Sequence, residues 1–199
     1  SSAQLSAMSS LSGSQSQGGA YSSLSSTAIK ALTTANFAAL TSDQLGGFLP
    51  TQASYFSAAQ IKAITTAALP GLSTDTLKAM NASQVGAFTT GQIQNLTTAQ
   101  FATLEADDFT SFTLQLRAIE GTDIAALGTA NFALLNSSQT AALNSSQIAG
   151  LTSGQMGAFS TQETSQLTAA QIKGLTTAQA AGLTDTQIAA LSTGAVAAI

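Results

Sequence analysis

Residues 167–198 read LTAAQIKG, LTTAQAAG, LTDTQIAA, LSTGAVAA, four units of eight that open on Leu167, Leu175, Leu183 and Leu191. The period extends towards the N-terminus with a large apolar anchor every eighth residue, back to Ile119. One unit of seven follows over 112–118, and the octads then resume from Phe112 back to Leu24. Residues 24–199 are therefore one array of 22 units, with a single shortened unit at 112–118. Residues 1–23, rich in Ser, Gly and Gln, form a tail of different character, expected to dock on a neighbouring molecule.

With the anchor numbered 0, position 1 is usually Ser, Thr or Asn, position 4 is usually Gln, and position 7 is mostly Ala or Gly. Position 5 is apolar in most units, as at Ile29, Phe37, Ile61, Phe101, Ile148 and Ile188. A continuous helix advances about 100° per residue, so eight residues overshoot two turns by about 80° and the apolar stripe would spiral away from any core. A strand fails too, because positions 0 and 5 differ in parity and would point to opposite faces. One short helix per octad, with a bend between units, satisfies the period.

Capping chemistry agrees. Ser or Thr at position 1 with Gln at position 4 makes the S/T-x-x-Q box, as in Thr168 with Gln171, Thr176 with Gln179 and Thr184 with Gln187. Pro50 falls on the first helical residue, where its missing N–H costs nothing. Gly at position 7 (Gly47, Gly71, Gly150, Gly174, Gly182) is read as serving the C-terminal bend. Lys30, Lys62, Lys78 and Lys173 stand at position 6, and all nine acids stand at positions 1 to 4, as the helix dipole favours. The fold expected is all-α, a tight α-solenoid of short helices. Positions 0 and 5 face its axis, and small position-7 residues admit the neighbouring coil.

Charged residues are 7 % of the chain, His and Cys are absent, and the net charge is −4. Thiolate and imidazole chemistry, zinc-finger sites and disulfides are excluded. So acidic a chain is not expected to bind nucleic acid, and no apolar run approaches the length of a membrane span. Ser and Thr lack a base, so the chain is not expected to be an enzyme and no cofactor is expected. Glu105, Asp107 and Asp108 form a weak calcium candidate, although each also sits at a helix start. Asn81, Asn95, Asn136 and Asn144 each open an N-x-S/T triplet, for which helix capping is the simpler reading.

The array closes on GAVAAI, which suggests an uncapped apolar end of about six large side chains, worth on the order of 10 kcal/mol gross if covered. Ala195, Val196, Ala198 and Ile199 are expected on one side of a subunit contact. Leu5, Met8, Leu11, Tyr21, Leu24 and Ile29 are expected on the other. Such a head-to-tail contact is heterologous and grows a filament rather than a closed ring.

The motif L-T-x-x-Q-[IV]-x-[AG], as in LTAAQIKG (167–174) and LTDTQIAA (183–190), resembles octapeptide-repeat tracts of large secreted or surface proteins of Gram-negative bacteria. The resemblance covers residues 24–199. It implies an extracellular or cell-surface filament or adhesin-like role, with no catalytic residue. The expectation is a structural subunit that polymerises with itself head to tail, as a matrix, biofilm or surface fibre. Weak charge repulsion would permit lateral bundling. The alternative is an adhesin stalk, or a carbohydrate- or ice-binding segment, of a longer surface protein. The opening LTxxQ also resembles the start of TAL-effector repeats, but those are about four times longer and bind DNA.

Overall fold

The computed structural model describes residues 19–109, 112 and 115–197. Among them every regular element is a helix of three to six residues, one per repeat, and there is no strand. The chain divides between Asn95 and Leu96 into two compact units.

Most helices start where the sequence places a cap, the exceptions including those that follow Leu49, Glu120 and Leu127. Thr41, Ser57, Asn81, Thr89, Thr97, Asn144, Thr152, Thr168 and Thr184 are extended N-caps whose side chains accept the N–H three residues on. The position-4 side chain accepts the cap's own N–H, as Gln60 Oε1 does from Ser57 at 2.8 Å. Pro50 opens its helix, and Lys30, Lys62, Lys78 and Lys173 lie in last turns. Helices this short cannot persist alone; they survive by packing on one another.

In the first unit Thr34–Ala38 packs on Ala58–Ala63, and Pro50–Ala53 on Thr74–Lys78. In the second, Gly121–Ala126 packs on Ser145–Gly150, which packs on Ala169–Lys173. The step is three octads, or 24 residues, so each unit is a short solenoid with about three octads per coil. Positions 0 and 5 fill the interior, as expected. Position 5 is at most 3 % exposed everywhere from Ile29 to Ile172, including the 3-10 turns at Leu69 and Leu116. Phenylalanines cluster there: Phe37, Phe48 and Phe56 lie with ring centroids 5.1 to 6.2 Å apart.

Position 7 differs from expectation in one respect. Gly47, Gly174 and Gly182 have φ of −75°, −77° and −82°, so they do not serve a left-handed bend. Among the described residues only Gly128 has positive φ, 69°; there it joins Gly121–Ala126 directly to Gly128–Phe132. Position-7 glycines answer to close approach instead. A Cβ on Gly71 would stand 1.9 Å from the Ser42 carbonyl oxygen, and one on Gly150 would stand 2.5 Å from the Gly121 backbone. At Gly71, Gly150, Gly174 and Gly182 position 7 thus seats on position 2 of the octad three before, whereas Tyr55, Leu134 and Gln166 are larger residues at the same position.

The helix Gly19–Ser22 precedes the boundary drawn at residue 24 but keeps the register: Tyr21 stands eight residues before Ile29 and is buried against Phe48, with centroids 5.1 Å apart.

Candidate functional site

The most ordered chemistry in the chain is a ladder of buried glutamines. Position-4 glutamines are capping residues by sequence, and capping uses only the amide oxygen. The amide nitrogen has a second task. Gln60 Nε2 donates to the Ile29 and Leu32 carbonyls at 2.9 and 2.7 Å, 31 and 28 residues earlier. Gln84 does the same to Ala53 and Phe56 (2.9, 2.8 Å), Gln92 to Ile61 and Ile64 (2.8, 2.7 Å), and Gln187 to Met156 and Phe159 (3.1, 2.7 Å). The acceptors are a position-5 carbonyl and the next anchor's carbonyl, the C-terminal end of a helix one coil before. One amide therefore caps the N-terminus of its own helix and the C-terminus of another. Both are groups that a helix leaves unpaired, and both needs recur in every octad.

Substituted rungs follow the donor rule. Thr76 Oγ1 reaches only the Phe48 carbonyl, at 3.2 Å. Asn131 Nδ2 reaches only the Leu104 carbonyl, at 3.0 Å. Carboxylates cannot donate, so Asp123 instead accepts from the Thr98 hydroxyl at 2.9 Å, and Glu163 stands 3.4 Å from that of Thr140. Both acids, like Asp108, occupy the helix-start position the sequence assigns them. Asp108 Oδ2 accepts the Glu105 N–H at 2.8 Å, which spends it as a cap. Asp107's side chain lies outside the described residues. Among the described residues no cluster of three or more acids could hold a metal ion. Asn81, Asn136 and Asn144 are N-caps, whereas Asn95 donates to the Gly91 carbonyl at 2.8 Å.

The last rung is Gln187; position 4 of the next octad is Ala195. Position 5 is more exposed in the last two octads: Ile188 is 43 % and Val196 49 % exposed, against 3 % for Ile172. The carbonyls of Ile172 and Ala180 accept backbone N–H groups of their own helix ends, Ile172 from Gly174 and Leu175 (3.0 Å from the latter) and Ala180 from Gly182 and Leu183 (3.3 Å from the latter). The edge is narrower than the six large side chains expected. Ile188 and Val196, with half-buried Leu175, are the large apolar groups it uncovers among the described residues.

The expected contact residues separate accordingly. Val196 is about half exposed and Leu24 is half-buried. Tyr21, Ile29 and Ala195 are buried within the chain's own coils, Ile29 beneath the octad of Gln60, and cannot line a subunit contact. Leu5, Met8, Leu11, Ala198 and Ile199 lie outside the described residues. No described helix is long and apolar enough to cross a membrane.

No curated protein and no solved structure matches the chain. A family model does match, over residues 22–48, 61–98, 116–153 and 124–161, which together span more than half of the sequence. These segments carry octads of the same pattern, with the rungs Gln84 and Gln92 among them, and the chain belongs to the ALTTAQ repeat family.

Proposed function

We propose that this chain is a structural protein that assembles head to tail, one copy's coil stacking on the C-terminal coil of another. The observation that carries the reading is that the position-5 face of each interior coil is covered by another coil of the same octad pattern, so the pattern is complementary to itself; Ile188 and Val196 present the same face about half exposed. Each interior coil satisfies this same face with another coil of the same sequence pattern. A second copy supplies such a coil, and a heterologous contact of this kind propagates. An extracellular or cell-surface setting in a bacterium, as a matrix or surface fibre, belongs to the same proposal and rests on the resemblance of the octads alone.

Apolar burial by itself is modest. Two side chains about half exposed stand to gain about 1 kcal/mol each, short of the roughly 4–15 kcal/mol that association costs. Assembly therefore needs polar complementarity along the edge as well. Electron microscopy across a dilution series tests the reading. Filaments that lengthen with concentration support it, and particles one chain long at every concentration refute it. Val196→Asp, at an exposed position where the fold tolerates charge, should suppress assembly while leaving helicity intact.

A further inference from the structure

Two position-4 side chains of the second unit, Asp123 and Glu163, carry a charge where the ladder calls for an amide. We infer that each of these carboxylate rungs, Asp123 with Thr98 and Glu163 with Thr140, holds a monovalent cation of potassium's size in the place of the missing amide nitrogen. Both sites lie within one chain and do not depend on assembly.

Asp123 is 8 % exposed, yet among the described residues its side chain has a single hydrogen bond, from the Thr98 hydroxyl at 2.9 Å. A carboxylate so buried is ordinarily paired with a cation. Residues 96–199 contain only two cationic side chains, Arg117 and Lys173; both are exposed, and among the described residues neither pairs with Asp123 or Glu163. The ladder's register brings further oxygens. Asn131, the rung of the next octad, donates to the Leu104 carbonyl 27 residues before it, and the same step from Asp123 leads to the Leu96 carbonyl. At Glu163, Oε2 is spent on the Ser160 N–H and hydroxyl, both at 2.8 Å, and Oε1 meets only the Thr140 hydroxyl, at 3.4 Å. The usual offsets of 31 and 28 residues, which take Gln155 to Ile124 and Gln171 to Leu143, take Glu163 to the Phe132 and Leu135 carbonyls. Thr140 already donates to the Ser137 carbonyl at 3.1 Å, so its hydroxyl offers a lone pair. Each site thus gathers a carboxylate, a hydroxyl and backbone carbonyls, an all-oxygen set of the kind that replaces an alkali ion's hydration shell. Potassium stands off an oxygen by about the distance of an amide nitrogen, so it fits a gap that the Gln60 and Gln147 rungs span with bonds of 2.6 to 2.9 Å. One carboxylate among neutral oxygens balances one positive charge, whereas a divalent ion calls for more carboxylates.

The test gives the ladder back its amides. Asp123→Asn with Glu163→Gln installs the side chains that serve as donors at the Asn131 and Gln155 rungs, which need no ion. Thermal melts of the full chain are followed by circular dichroism in potassium chloride and in tetramethylammonium chloride, each at about 0.1 M. An ion that binds only the folded chain raises its melting temperature. Wild type should therefore melt several degrees higher in the potassium salt, and the double variant should melt at one temperature in both. Binding is read directly with thallium(I) nitrate, whose ion mimics potassium and is visible by nuclear magnetic resonance. Wild type should broaden its resonance, potassium nitrate should restore it, and the double variant should leave it sharp. Equal wild-type melts in the two salts, a salt difference undiminished in the variant, or a thallium resonance that wild type does not broaden, overturns the inference.

Discussion

Gln84 is the cleanest place to test the ladder. It is 7 % exposed; its Oε1 accepts from Asn81 N–H at 3.0 Å, and its Nε2 donates to Ala53 and Phe56 at 2.9 and 2.8 Å. Gln84→Leu keeps most of the volume and removes all three bonds. At about 1 kcal/mol each, the loss is about 3 kcal/mol, or roughly 15 °C in a unit of this size. Gln84→Glu is isosteric and sharper. At pH 7 it keeps the cap but sets a buried carboxylate against two carbonyl oxygens, for a cost of about 4 kcal/mol. The fold then favours the protonated acid and raises the carboxyl's folded pKa above its unfolded value. Stability is therefore greatest below the ordinary carboxyl range, near pH 4, and falls as pH rises through and above it. Thermal melts followed by circular dichroism from pH 3.5 to 7.5 should show the variant recovering most of its loss on acidification. Gln94→Leu, at an exposed position, should change little. If Gln84→Leu melts like Gln94→Leu, or Gln84→Glu shows no recovery at low pH, the inter-coil role of the amide is refuted.

Gly71→Ala should cost at least about 3 kcal/mol, because its Cβ would meet the Ser42 carbonyl at 1.9 Å. Gly91→Ala, with open space at the same kind of helix, should be neutral or stabilising by up to about 1 kcal/mol; denaturant midpoints separate the two. Tyr21 buries a hydroxyl with no partner among the described residues, and burial raises its pKa. Tyr21→Phe should therefore be neutral or slightly stabilising at pH 7. Wild type should also lose stability above about pH 10, where tyrosine ionises only on unfolding, and Tyr21→Phe should lack that component. Millimolar calcium should leave the melt unchanged, since Asp108 is spent as a helix cap; a shift of several degrees would reopen the Glu105–Asp108 segment as a binding site.

The octad made the helices, their caps and the two interior positions legible, because each is a property of one unit. Thr168 and Gln171 fix a helix start without reference to anything else. The coil was not legible, since a strict eight-residue period is equally compatible with any number of octads per turn. Only the pairing of Ser145–Gly150 with Ala169–Lys173 sets it at three. The same blindness hid half of each glutamine's work. Capping accounts for position 4 by itself, so nothing in Asn81-x-x-Gln84 announces carbonyls at Ala53 and Phe56. A signal was present in the choice of residue: a box satisfied by any acceptor would admit Glu as readily as Gln, yet Gln dominates, as a required donor demands. Position-7 glycines misled for a related reason, because bend and close approach ask for the same residue. Nearness to the ends of the sequence points to a surface for Ile29 and Ala195, whereas burial follows the coil that lies above or below.

Side-chain amide exchange by nuclear magnetic resonance tests the ladder most directly. The Nε2 protons of Gln60, Gln84, Gln92, Gln147, Gln179 and Gln187 should exchange slowly and together with the helix amides around them. Those of exposed Gln94, Gln162 and Gln166 should exchange at the rate of free glutamine. Uniformly fast exchange across both sets would contradict the claim that buried amides bind each coil to the one before.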